Sequence, residues 1–188
     1  MKMNLGMAGA ALMLCVVVSG CANNRDLIAK TSLATRSDVF TEAVSSDVQV
    51  GKAIIDFSFA VKSNSYYLMG TYGKHTAPPY RVNLNIDGQA TVLEAEPILE
   101  DKSPVDSNVP ESGTGWKYQF SKRLALTPGK HKLTIALPID DVIVEQEIEL
   151  HSGINTIAVV PVYKKTLLRP YRGQNFKAGV RTLKVSVN

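Results

Sequence analysis

The chain has 188 residues, 21 Lys and Arg against 17 Asp and Glu, and a formal net charge of +4 at pH 7. So small an excess is not the electrostatic footprint of a nucleic-acid binder, and nucleic acid is set aside as a partner. With only two cysteines and three histidines, the chain cannot build a disulfide framework or a zinc ribbon, and no cofactor is expected.

The chain opens with one positive charge at Lys2, an uncharged and mostly apolar run from Met3 to Val18, and small residues leading to Cys21. This order is that of an export signal. The run falls short of the ~20 residues a membrane-spanning helix needs, and Asn23, Asn24, Arg25 and Asp26 follow at once. With Val18-Ser19-Gly20 before Cys21, residues 1–20 resemble a bacterial lipoprotein signal peptide. The resemblance implies a diacylglycerol thioether on Cys21, cleavage before it and acylation of the new N-terminus. Such chains anchor almost permanently, because each buried methylene adds ~0.8 kcal/mol. Ala22 stands where an Asp would favour inner-membrane retention, so the expected location is the outer membrane, on its periplasmic face rather than the cell surface. Cys15 leaves with the signal and Cys21 is consumed by lipid, so the mature chain has no free thiol.

Residues 21–46 carry Ser, Thr, Asn and alternating charges without a sustained apolar period and read as a lipidated tether. Residues 47–188 read as one β-domain. Ala53, Ile55, Phe57, Phe59 and Val61 share one face of a strand, as do Val82, Leu84 and Ile86, which end at an Asp87-Gly88 hairpin turn. Trp116, Tyr118, Phe120, Leu124 and Leu126 hold one phase that Lys122 interrupts, which suggests a strand end, a bulge or a lysine stem reaching to water.

Pro128-Gly129 and the stretch Pro138 to Asp141 read as turns around a strand carrying His131, Leu133, Ile135 and Leu137. Val142, Val144, Ile148 and Leu150 follow, with an acidic opposite face. Ile154 to Tyr163, apolar on both phases, reads as a central strand covered on each side, and Leu183, Val185 and Val187 as a terminal strand. The expectation is an all-β fold, a single antiparallel β-sandwich, with consecutive hairpins from Trp116 to Tyr163. Two long loops, 63–79 and 97–115, remain.

The stretch Leu126-Thr127-Pro128-Gly129-Lys130-His131-Lys132-Leu133, with Ile86-Asp87-Gly88 before it, resembles the strand-turn-strand pattern of PEGA-type and related immunoglobulin-like or prealbumin-like modules of bacterial envelope proteins. The likeness spans residues 80–163 and implies a sandwich, with no site residues to carry over. The whole chain also resembles the many uncharacterised lipoproteins of Gram-negative bacteria, a likeness that implies location and not activity.

Candidate chemistry is sparse. His75, His131 and His151 lack the spacing of a zinc pair, so no metal site is expected. No glycine-flanked serine suggests a nucleophile elbow, and Glu145, Glu147 and Glu149 are two apart on one strand face, as in a solvated surface. No catalytic residue is assigned and no enzyme is expected. Two features suit binding. Tyr66, Tyr67, Tyr72, His75 and Tyr80 cluster in a loop rich in Gly and Pro, and tyrosines offer broad rings with a polar tip; these rings either meet a protein or sugar, or cover a sheet end. The tail from Lys164 has seven bases, among them Arg169, Arg172 and Lys177, and no acid, against six acids and one lysine in residues 94–111. The two charged stretches either pack together or leave the tail free for lipid phosphates. The expected role is an accessory or scaffold module binding an envelope protein, with a glycan of lipopolysaccharide or peptidoglycan as the alternative partner.

Overall fold

The structure, a computed structural model, describes residues 22–43, 51–64, 79–106, 108–165 and 174–188. Among them are a helix, α1 (Ala22–Thr31), ten strands and a short 3-10 turn (Asn175–Ala178). The strands are β1 (Phe40–Glu42), β2 (Ala53–Ser63), β3 (Tyr80–Ile86), β4 (Gln89–Ala95), β5 (Ile98–Lys102), β6 (Gly113–Leu126), β7 (Gly129–Leu137), β8 (Val142–Leu150), β9 (Gly153–Tyr163) and β10 (Val180–Val187).

Period-two alternation is converted into two facing sheets. One has the order β1-β6-β2-β9-β10, with β5 on the same edge of β6 as β1; the other has the order β4-β3-β7-β8. Their inner faces are the apolar phases seen in the sequence: Ile55, Phe57, Phe59 and Val61 from β2, Tyr118, Phe120 and Leu124 from β6, and Val82, Leu84, Leu133 and Ile135 opposite. Aromatic rings join the layers, with Tyr80 of one sheet 5.2 Å from Tyr118 of the other. The all-β sandwich is therefore the fold.

Its connections differ from the expected run of hairpins. Asp87-Gly88 does turn a hairpin, both residues having positive φ (47° and 93°), and β7–β8 is a second one. Thr127-Pro128, however, carries the chain from one sheet to the other, and so does His151-Ser152. The β9 strand pairs in parallel with β2, from Ala53↔Gly153 to Phe59↔Val159, so the sandwich is not purely antiparallel. β9 is central, as expected, but only one face is covered: Ile154 is 58% exposed and Val160 56%. A continuous apolar run reports a strand's place between neighbours and says nothing of what lies above it.

β6 runs unbroken through Lys122, whose ammonium reaches the Glu42 carboxylate at the sheet edge. The expected loop over 97–115 contains β5, which pairs with the first residues of β6 from Ile98↔Lys117 to Lys102↔Gly113.

The largest departure concerns the expected tether. Residues 22–43 pack on the sandwich. Among residues 24–31 of α1 only Ile28 and Thr31 are buried, too thin a stripe to announce an amphipathic helix. It is held instead by Asn83 and Asn85 on the outer face of β3, whose amides donate to the carbonyls of Ile28 and Thr31. Thr35 and Arg36 then donate their amides to Gly88 O. Phe40 enters the core from β1, where the Gln89 side chain accepts from its N–H and donates to its carbonyl. Ile28→Ala should cost about 2–3 kcal/mol, at the low end for such truncations because the site is a surface seam. Hydrogen exchange should show α1 amides losing protection while β3 and β7 keep theirs.

Candidate functional site

One end of the sandwich gathers most of the irregular chain. β2 and β9 finish there at Ser63 and Tyr163, β3 begins at Tyr80, β7 turns into β8 through Pro138–Asp141, and the 103–112 connection and the 3-10 turn lie over it. Segments 65–78 and 166–173 leave the described chain here.

A buried lysine organises this end. Lys62 sits on the outer face of β2, 1% exposed. Its ammonium donates to Glu111 O at 2.9 Å and Gly113 O at 2.6 Å, and lies 3.1 Å from Glu100 Oε2. The two carbonyls take hydrogen bonds and the carboxylate balances the charge. The other Glu100 oxygen accepts from Lys117 at 3.0 Å. Burial pushes the Glu100 carboxyl up, but hydrogen bonds from Lys117 and Lys62 outweigh it and hold the group below its ordinary value.

The Phe176 ring covers the lysine, its centroid 5.0 Å from Nζ. A glycine makes the space: a Cβ on Gly115 would lie 2.5 Å from Phe176 Cε2 and 2.7 Å from Ser63 O. Beside this group, Tyr163 OH accepts from Lys62 N at 3.0 Å and donates to Glu111 Oε1 at 2.6 Å. Burial first, and the Glu111 carboxylate second, push its phenol far above the ordinary value, so it stays a donor.

The binding residues expected from the sequence fare unevenly. Cys21, Tyr72, His75, Arg169 and Arg172 lie outside the described residues. Tyr80 is not a surface ring: it is 3% exposed, lies tilted against Tyr118 and edge-on to Phe120, and donates its hydroxyl to Asp140. Burial and the Asp140 charge raise its phenol strongly. Asp140 Oδ1 also accepts from Val180 N, so this pair ties the β7–β8 turn to both sheets. Lys177 lies on the 3-10 turn, half-buried and with a polar partner of its own.

Nothing in the alternation flags Lys62, Glu100, Tyr163 or Asp140. Lys62 belongs to the polar phase of β2, and a polar phase by itself reads as solvated. At the opposite end His131 is also structural. Its Nδ1 meets Asp87 Oδ2 at 2.7 Å and its Nε2 meets Thr127 O at 2.9 Å, while Asp87 Oδ1 accepts from Lys132 N. Among the described residues, no three His, Cys, Asp or Glu side chains gather as metal ligands.

The chain matches no family model, no curated protein and no solved structure.

Removing one partner of a buried ion pair leaves the other uncompensated, so Lys62→Met should lower stability by about 3 kcal/mol in denaturant titration. Tyr80→Phe should cost about 1–2 kcal/mol by unpairing Asp140. Glu100, held low when folded, contributes its full stabilisation above its unfolded value of about 4.3. That contribution is lost as pH falls through the lower folded value. Unfolding free energy should therefore decline in acid, and Glu100→Gln should be less stable at neutral pH but show a shallower acid decline.

Proposed function

We propose that this protein is a lipid-anchored binding module of the Gram-negative envelope, held through Cys21 on the periplasmic face of the outer membrane and acting by docking an envelope protein rather than by catalysis. One observation supports the reading best. α1 begins at Ala22, the residue after Cys21, and is seated on the sandwich through Ile28, Asn83 and Asn85. A lipid at Cys21 therefore holds the folded body and not a loose arm. Confinement to a surface raises the local concentration of any partner in the same membrane, so a weak contact suffices.

The chemistry of the described residues favours recognition. The buried and part-buried charged and phenolic groups of this end are paired with one another: Lys62 and Lys117 with Glu100, Tyr163 with Glu111, Tyr80 with Asp140. The glycan alternative loses one of its aromatic platforms, because Tyr80 lies in the core.

The wild-type chain from a Gram-negative host should carry acyl mass on its N-terminal peptide and stay in the membrane pellet. Cys21→Ser should carry none and move to the soluble periplasmic fraction. Crosslinking in intact cells should attach envelope protein peptides to the wild type and lose most of them in Cys21→Ser. A wild-type chain without acyl mass overturns the reading; one that is acylated but captured by purified glycan, with no protein crosslinks, shifts it to the sugar-binding alternative.

A further inference from the structure

The direction of α1 decides which end of the sandwich is nearest to whatever Cys21 carries. Ile28 O meets Asn83 and Thr31 O meets Asn85, so helix and β3 run the same way across the outer face of the sheet. With a rise of ~1.5 Å per helical residue, Ala22 lies roughly 9 Å before Ile28; at ~3.4 Å per strand residue, Tyr80 lies roughly 10 Å before Asn83. The start of α1 is thus level with the start of β3 and with the Pro138–Asp141 turn. Arg25, Ile139 and Asp141 line one cleft there.

We infer that this end of the sandwich faces the bilayer, with the α1 side and the β7–β8 turn in the headgroup layer, and that the Asp87-Gly88 and Ser152-Gly153 turns point away from the membrane. The inference rests on acylation at Cys21 as proposed above and adds an orientation to it. Because the docked helix begins one residue after Cys21, almost no free chain remains to lift or rotate the body.

The exposed side chains suit that position. Ile139, at the tip of its turn, is 61% exposed, an apolar contact for the headgroup–acyl boundary. Arg25, Lys164 and Lys165 are exposed around it. Lys164 belongs to this neighbourhood because its amide donates to Gly179 O, and Asp140, beside Ile139, accepts from Val180 N. Acids are present too. Asp141 adjoins Ile139, and Glu96, Asp101 and Asp106 are exposed on the β5 side. Repulsion of that side by anionic headgroups tilts the α1 side forward.

The test uses the mature acylated chain, starting at Cys21, in vesicles of phosphatidylethanolamine and phosphatidylglycerol containing a headgroup spin-labelled lipid. Single thiols at Ile139→Cys and Ser152→Cys each carry a fluorophore. The expected result is strong quenching at position 139 and weak quenching at 152. Adding Lys164→Gln and Lys165→Gln should lower the apposed-to-free ratio by about fivefold for each lysine, a loss that high salt reproduces. Equal quenching at the two positions, or stronger quenching at 152, with acyl mass present on the protein overturns the orientation and leaves the anchor standing. Absence of acyl mass from the purified wild type overturns both.

Discussion

A lysine ammonium with no access to water must be given an acceptor for each of its protons, and this requirement at Lys62 shapes one whole end of the protein. Glu100 has to arrive from β5, and the carbonyls of Glu111 and Gly113 have to curl inward at the start of β6. The Phe176 ring then seals the site in a slot that only a glycine at 115 leaves open. Segments far apart in sequence are thereby clamped onto the outer face of a sheet that would otherwise be bare there. The desolvation of an ion pair is costly and its attraction only roughly offsets it, so the pair by itself adds little net stability.

Among the described residues, Glu100 and Glu111 of the acidic stretch pair with Lys62, Lys117 and Lys102, from strands β2, β5 and β6, while Arg169 and Arg172 of the basic tail lie outside them. The tail contributes an aromatic ring, Phe176, and a backbone bond from Phe176 N to Pro110 O. Lys164 and Lys165 remain exposed. Charge asymmetry along a sequence thus measures the local company of residues, whereas pairing follows proximity in the fold.

A short, docked link changes what anchoring means physically. A long flexible arm would let a module sample all orientations, trading order for reach. With the lipid proposed on Cys21, a helix seated directly after it would remove that freedom, and the fold rather than diffusion of an arm would choose the exposed surface. Under the proposed acylation of Cys21, the bonds from Asn83 and Asn85 would turn an attachment into an orientation.

Much of the architecture is legible in the order of residues alone. Strand phases at 53–61, 82–86, 116–126 and 131–137 follow from alternation, since side chains in an extended chain point to opposite faces in turn, and the Asp87-Gly88 hairpin follows from the backbone angles those residues tolerate. The reading of residues 1–20 as an export signal likewise rests on local order along the chain. Only tertiary structure decided which strands lie beside one another and which side chains they enclose: β9 parallel to β2, Pro128 as a passage between sheets, Phe40 drawn into the core by Gln89, Tyr80 turned inward to Asp140, Lys62 buried. The side-chain contacts among these join residues 49 or more positions apart, and the β2–β9 pairing spans a greater separation still. Periodicity, which reports a residue's face but never its neighbour, carries no trace of that distance.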